Sequence, residues 1–315
     1  MAELGTQRLQ PDAAGLSSAA AILRGGGLVA FPTETVYGLG ADACDDHAVA
    51  RIYAAKGRPS FNPLIVHLPS VAAVKELVEW NDAAERAAQA FWPGPLTLVL
   101  PLKPDAGVSK LVTAGLDTLA VRVPSATVAH NLLTEFDGPV AAPSANTSGQ
   151  ISPTRAEHVL GDLSGKIDAV LDGGACAVGL ESTILGLAGT PTLLRPGGVT
   201  LDQLTQVLAA PVTIRDDAAE ISAPGQIKSH YAPRARVRLN ATSWASGEAR
   251  LGFGEVDCDL NLSATADLTQ AAANLFEFLH RLDAGHAKII AVSPIPNTGM
   301  GAAINDRLNR AAADR

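Results

Sequence analysis

The stretch Lys56-Gly57-Arg58-Pro59-Ser60-Phe61-Asn62-Pro63-Leu64-Ile65-Val66-His67 holds a helix end, a proline-fenced loop and a buried-type strand in succession. Residues 48–56 have helical spacing behind the polar start Asp45-Asp46. Residues 64–68 are a short continuous apolar run, as in a strand covered on both faces. The loop sets Lys56 and Arg58 either side of a glycine, with Asn62 following. Two cations so close suit an anionic ligand such as a polyphosphate. A solvated helix C-terminus, where Lys and Arg meet the dipole favourably, accounts for them equally well. His67, at the strand end, reads taken singly as a hydrogen-bonded structural histidine.

Outward from this stretch, helical and strand periods alternate, which predicts an α/β fold. Helices are expected over 16–23, 71–78, 83–91, 128–136, 156–163 and 201–208. Strands are expected over 28–31, 96–100, 118–123, 140–142, 169–171, 183–187 and 192–194. Residues 211–233 differ: they are polar and interrupted by Pro and Gly, and read as a linker or lid. Beyond them, strands over 237–239, 251–253 and 289–292 and helices over 268–282 and 302–312 predict a second, smaller α/β domain. The expected division is 1–210, a linker or lid over 211–234, and 235–315.

Composition narrows the function. With 315 residues, 47% hydrophobic and 18% charged, the chain can bury a sizeable core and is not expected to be disordered. The net charge of -8 argues against a protein that coats nucleic acid, which needs clustered Lys and Arg. Cys44, Cys176 and Cys258 are scattered and read as free thiols, with no zinc-ligand spacing. The polar N-terminus lacks a signal-peptide run, and no apolar stretch reaches the roughly 20 residues that span a bilayer. A soluble, cytoplasmic protein is expected.

Three further groups mix apolar strands with polar ends. Phe31-Pro32-Thr33-Glu34-Thr35-Val36-Tyr37-Gly38-Leu39-Gly40 runs a strand into hydroxyls and a carboxylate; these fit a ligand contact or a capped turn. Arg122 lies in the apolar strand of Leu119-Ala120-Val121-Arg122-Val123-Pro124 and needs either a salt bridge or a substrate carboxylate. Ala141-Ala142-Pro143-Ser144-Ala145-Asn146-Thr147-Ser148-Gly149 offers a cradle of small hydrogen-bonding groups, or a plain loop. The last group is Glu181-Ser182-Thr183-Ile184, Leu194-Arg195-Pro196-Gly197-Gly198 and the linker segment Gln226-Ile227-Lys228-Ser229-His230-Tyr231-Ala232-Pro233. No GxxxxGK[ST] loop, HExxH or GxSxG is present, so P-loop, zincin and nucleophile-elbow chemistry have no support.

Taken in order, PTETVYGLG, KGRPSFNPL, WPGPLT, VRVP, APSANTSG, ESTI, LRPGG, HYAP and GAAINDRL resemble the YrdC-like superfamily, in the long two-domain form of the L-threonylcarbamoyladenylate synthases. The resemblance runs from about Leu16 to the C-terminus. It implies a YrdC-like open, twisted, mixed α/β sheet with a basic-lined cavity, and a smaller Rossmann-like domain joined by a linker across the cavity mouth. It implies synthesis of threonylcarbamoyl-AMP and pyrophosphate from ATP, L-threonine and bicarbonate or CO₂, with Mg²⁺ on the phosphates and no metal held by protein residues. A separate tRNA threonylcarbamoyl-transfer complex then serves adenosine 37, so direct tRNA binding is expected to be weak or indirect, and no membrane partner is implied.

By the same resemblance, Thr35, His67, Arg122 and Ser182, with the backbone at Ala142, hold threonine. Arg58, Asn62, Thr118, Ser144, Ser152 and Arg195 hold the nucleotide, and Tyr231 closes over it. Lys56, Arg58, Ser144 and Asn146 form the superfamily's polar quartet. Two competing readings are an RNA-binding module and a carbamoyl-transfer domain; the latter normally adds zinc-binding cysteines that this chain lacks.

Overall fold

In the computed structural model, residues 5–216, 223–224 and 230–314 are described. Part of the segment expected to act as a lid, residues 217–222 and 225–229 with Gln226, Lys228 and Ser229 among them, lies outside them. Eleven strands form the larger sheet: β1 (Gln7–Leu9), β2 (Val29–Pro32), β3 (Tyr37–Asp42), β4 (Ile65–His67), β5 (Leu96–Pro101), β6 (Thr118–Arg122), β7 (Val140–Ala141), β8 (Ala169–Leu171), β9 (Thr183–Gly186), β10 (Thr192–Arg195) and β11 (Thr213–Ile214). Their order is β1-β8-β2-β3-β7-β4-β6-β5-β9-β10-β11. Direction is mixed: β4 and β6 run parallel, whereas β3 and β4 both pair antiparallel with β7.

One face of this sheet is covered by an apolar cluster running through Leu39, Ile52, Val66, Leu98 and Val121. The other is covered in part by Leu23, Phe31, Leu132 and Phe136. The helix Asp46–Lys56 starts on the Asp45 side chain, which accepts from the backbone N–H of His47 and Ala48. It stops at Gly57, whose left-handed backbone (φ 59°) turns Arg58 back toward the sheet.

The smaller sheet is parallel throughout, in the order β12-β15-β13-β14, from β12 (Arg236–Arg238), β13 (Ala249–Gly252), β14 (Leu260–Asn261) and β15 (Ile289–Val292). The helices Leu268–Asp283 and Met300–Ala312 pack against it. Its apolar core continues into the first domain through Val36, Ile151 and Leu180, with Tyr231 between them. This is the expected pair of α/β units.

The short helix Lys110–Thr113 and β14 were not expected, and the larger sheet departs from expectation in three places. The polar N-terminal segment forms β1, an edge strand beside β8. The stretch after Pro32 forms β3 rather than only a loop. Its glycines hide it from β-propensity, yet a Cβ at Gly40 would lie 2.8 Å from the Phe31 ring, so the close β2–β3 packing requires glycine there. The expected linker begins with β11, which pairs with β10, so the larger sheet extends past residue 210.

Candidate active site

β4 and β6 lie side by side and end together, with His67 opposite Arg122. Arg122 is buried, so its charge must be answered locally. Its Nη2 donates to Glu34 Oε1 at 2.5 Å, Nη1 to Thr35 Oγ1 at 2.9 Å and Nε to the Gly94 carbonyl at 3.1 Å. The second Glu34 oxygen accepts from the backbone N–H of Ser125 and Ala126 at 3.1 and 3.3 Å. Burial works to raise the Glu34 pKa, but the charge and hydrogen bond of Arg122 outweigh it and hold the carboxyl below its usual range. A guanidinium has five N–H donors. Three are committed here, so two are left for a ligand. Arg122 is thus in a salt bridge and also lines the cavity.

His67 is buried edge-on to Phe31 with ring centroids 6.2 Å apart, and its Nδ1 has no hydrogen-bond partner. Burial, helped by the nearby Arg122 charge, lowers its pKa to about 3. It is a neutral imidazole at neutral pH and a weak base. Ser182 Oγ lies 2.8 Å from Thr97 Oγ1.

The other end of the cavity is built differently. Lys56 is buried and its ammonium donates to the Ser144 carbonyl at 2.5 Å and to the Asn146 carbonyl. Arg58 donates through Nε to Asn62 O at 3.2 Å and through Nη2 to Pro63 O at 2.9 Å. Arg195 donates to the Ser182 carbonyl through Nε and Nη2, at 3.1 and 2.9 Å. Among the described residues none of these three cations forms an ion pair with a carboxylate. Burial, with Arg58 adding to it, pushes the Lys56 ammonium well below its ordinary pKa. Burial brings Arg58 down to about 10 and lowers Arg195 too. Arg195 Nη2 also reaches Ser182 Oγ at 3.3 Å. Buried positive charge answered only by carbonyl and hydroxyl dipoles is costly, and an incoming anion relieves that cost.

One cavity gathers Thr35, Arg58, His67, Arg122, Ala142, Ser144, Ser182, Arg195 and Tyr231. Lys56 and Asn146 stand behind Ser144 in its wall, joined through Lys56. Asn146 Nδ2 is spent on the Thr147 and Gln150 carbonyls, at 2.8 and 3.0 Å. Ser152 sits one layer back, its hydroxyl donating to Glu181. Asn62 and Thr118 lie away from the His67–Arg122 end, where β4 and β6 begin. Four residues along a strand are roughly 13 Å, so Thr118 is about one nucleotide's reach from Arg122. Both polar atoms of the Asn62 amide are buried without a partner.

Tyr231 enters from the linker with a left-handed backbone (φ 62°) and is 1% exposed. Its ring packs on Phe276, with centroids 5.5 Å apart, and against His230 at 4.1 Å. The Ala232 N–H donates to Gly149 O at 2.9 Å, which ties this end of the linker to the small-residue loop. Burial, then the charges of Arg58, Lys56, Arg195 and Arg307, push the His230 imidazole far below its usual pKa.

Three residues here were not singled out from sequence as site residues: Glu34, His230 and Arg307. Glu34 sits inside the quoted PTET run and His230 inside HYAP; only long-range packing shows what they touch. Arg307 is the sole charged residue buried at 0% among the described residues. A buried-face position on the helix Met300–Ala312 occupied by arginine was its one available signal.

A mixed sheet carrying a cation-lined cavity, covered by the linker residues Pro224, His230 and Tyr231 and followed by a second, smaller α/β domain, defines the class. Residues 21–197 match the Sua5–YciO–YrdC family model, described as telomere recombination, and residues 199–313 match the threonylcarbamoyl-AMP synthase C-terminal domain. The chain belongs to the Sua5 family of threonylcarbamoyl-AMP synthases, in its two-domain form. It is 41% identical to the threonylcarbamoyl-AMP synthase of Bacillus subtilis, over 98% of this chain and 96% of that one. It is also 41% identical to that of Pyrococcus abyssi, over 94% of each. The crystal structure of P. abyssi Sua5 complexed with L-threonine superposes with a TM-score of 0.87 at 37% identity, covering 98% of this chain and 97% of that one. Full-length HypF in its phosphate- and nucleotide-bound form matches 57% of this chain and 28% of its own, with a TM-score of 0.52 at 26% identity. Among the described residues no helix is long and apolar enough to cross a membrane.

Proposed function

We infer that this chain makes threonylcarbamoyl-AMP from ATP, L-threonine and bicarbonate, releasing pyrophosphate by adenylyl transfer. The observation that carries the reading is one carboxylate-balanced arginine, Arg122, lining the same cavity as two buried cations without a carboxylate partner, Arg58 and Arg195, with a third, Lys56, behind its wall. The two-domain likeness to Sua5, against the one-domain likeness to HypF, favours this substrate over carbamoyl transfer.

The threonine carboxylate engages the two uncommitted N–H groups of Arg122. Thr35, His67, Ser182 and the wall at Ala142 surround the remainder, with His67 acting as a neutral hydrogen-bonding group. Bicarbonate takes up a proton and loses water to give CO₂; the neutral amine then forms a C–N bond to it, and the proton lost from nitrogen leaves to water, giving a carbamate. A carbamate oxygen then attacks the α-phosphorus; the bond to the bridging oxygen breaks and pyrophosphate leaves with its electron pair. Arg58, Asn62, Thr118, Ser144, Ser152 and Arg195 hold the nucleotide, and Tyr231 covers it. Lys56, Arg58 and Arg195 reduce the repulsion between two anions, so catalysis is positioning plus charge stabilisation.

The two carboxylates nearest the cavity are committed to arginines, Glu34 to Arg122 and Glu181 to Arg307. Among the described residues no group of three metal-ligating side chains comes together. In this reading Mg²⁺ arrives on the phosphates of ATP, as part of the substrate. The second domain and linker shield a labile mixed anhydride from water. The product then passes to a separate complex that modifies tRNA adenosine 37.

Incubation with ATP, Mg²⁺, L-threonine and ¹³C-bicarbonate tests the reading. Mass spectrometry should find threonylcarbamoyl-AMP carrying the label. AMP without a labelled conjugate would contradict it.

A further inference from the structure

Arg307 is the largest fully buried side chain among the described residues, although it carries a charge. It belongs to the second domain, on the helix Met300–Ala312, but most of its hydrogen bonds leave that domain. Nε donates to Glu181 Oε2 at 2.9 Å, Nη2 to Glu181 O at 3.4 Å and Nη1 to Pro196 O at 2.8 Å. Asp306 Oδ2, 2.7 Å from Nη1, is its one acceptor within its own helix. The guanidinium carbon also lies 5.4 Å from the centroid of the Tyr231 ring.

Each of these partners adjoins a residue of the cavity. Glu181 precedes Ser182, and Pro196 follows Arg195. Arg195 in turn grips the Ser182 carbonyl, and Ser152 donates to the Glu181 carboxylate. A single side chain therefore meets the start of β9, the end of β10 and the aromatic ring that closes the cavity. A buried ion pair is a weak stabiliser compared with apolar packing of the same volume, and the surrounding contact is already apolar, through Val36, Ile151, Leu180 and Phe276.

We propose that Arg307 is a positioning residue, through which the second domain holds the Glu181–Ser182 strand start, the Arg195–Pro196 strand end and the Tyr231 ring in register around the nucleotide. The proposal rests on the adenylating reading given above. Its consequence is that the second domain belongs to the ATP-binding machinery. Of the residues assigned to threonine, Arg122, Thr35 and His67 make no contact with Arg307, and only Ser182 adjoins one of its partners, so the nucleotide side carries the larger loss when Arg307 changes. Misplacing reacting groups by about 1 Å can cost roughly 100-fold in rate, and no protein–ligand contact need be lost directly.

The test uses the full chain as wild type, Arg307→Lys and Arg307→Met. Lysine keeps the charge but not the fork that reaches Glu181 and Pro196 together. Both variants should raise KM for ATP by roughly tenfold or more and lower kcat, with threonine affinity measured calorimetrically without ATP changed less than about threefold. Hydrogen exchange should quicken at the amides of residues 181–183 and 231–232. Folded variants with wild-type ATP kinetics and wild-type exchange would overturn the proposal, as would equal losses for threonine and ATP. If Arg307→Met fails to fold, Arg307→Lys decides alone. If the wild type releases no threonine-dependent pyrophosphate, the functional reading fails separately. The exchange comparison then still decides whether Arg307 holds these segments.

Discussion

The two ends of the cavity bury cations under opposite rules. At one end Arg122 faces Glu34, whose second oxygen is capped by two backbone N–H groups, so the site is close to neutral before any ligand enters. At the other end Lys56 and Arg58 are held by carbonyls, and Arg195 by carbonyls and the Ser182 hydroxyl, with no carboxylate paired to any of the three among the described residues. The first arrangement suits a small zwitterion or monoanion, which needs orientation more than charge. The second suits a polyanion, because only several negative charges repay the burial of three positive ones. Ligand charge can thus be read from what the protein leaves unpaired.

That contrast can be broken most forcefully at Arg122. Arg122→Met strands a buried Glu34, so it should cost about 3–5 kcal/mol of stability in chemical denaturation besides threonine binding. Replacing both partners, as Arg122→Met with Glu34→Leu, should recover most of the stability and none of the binding. Stability unchanged in the single variant would show that the pair is not what balances that end.

Arg58→Met should behave in the opposite way. Turnover should fall by roughly 100- to 1000-fold, while the denaturation midpoint stays near wild type, because no carboxylate is left behind. Tripolyphosphate, with no nucleoside, should raise the melting temperature of the wild type and not of this variant. A large loss of stability in Arg58→Met would mean that the two ends are built alike.

Specificity sharpens the comparison further. A neutral, hydrogen-bonding threonine end rejects loss of a hydroxyl more strongly than loss of a methyl. Serine should therefore exceed valine as a substrate by roughly 100-fold in kcat/KM. Valine ahead of serine would contradict the assignment of this end.

The smallest effect is a pH dependence. The folded His67 pKa of about 3 lies below the ordinary value of about 6.5. The unfolded chain thus takes up a proton first as pH falls, and stability present above about 6.5 is lost toward 3. The His67 share is roughly 2 kcal/mol at pH 5. His67→Gln should remove that share from the difference between pH 7 and pH 5. Parallel stability profiles would refute it.

Most of the framework was legible in the chain because many of its strands are continuous apolar runs and several of its helices carry their own caps. Residues 156–163, 169–171, 201–208 and 289–292 form elements with the expected bounds. β1 and β11 were not legible, since short exposed edge strands bury too little to leave a pattern. β3 was masked by glycines that serve the packing of Phe31. Within the site, the residue types at Lys56, Arg58 and Arg122 signalled an anion. Which of them already has a partner depends on contacts 88 residues apart, between Glu34 and Arg122. Arg307 reaches 126 residues back to Glu181, a distance at which local spacing carries no information.

The most direct measurement is pyrophosphate release by the full chain with ATP and Mg²⁺, with threonine and bicarbonate added or withheld in turn. The account predicts release only when both are present, and its loss in Arg58→Met. Release that ignores threonine, or that survives in Arg58→Met, would contradict the assignment of the unpaired cations to adenylyl transfer.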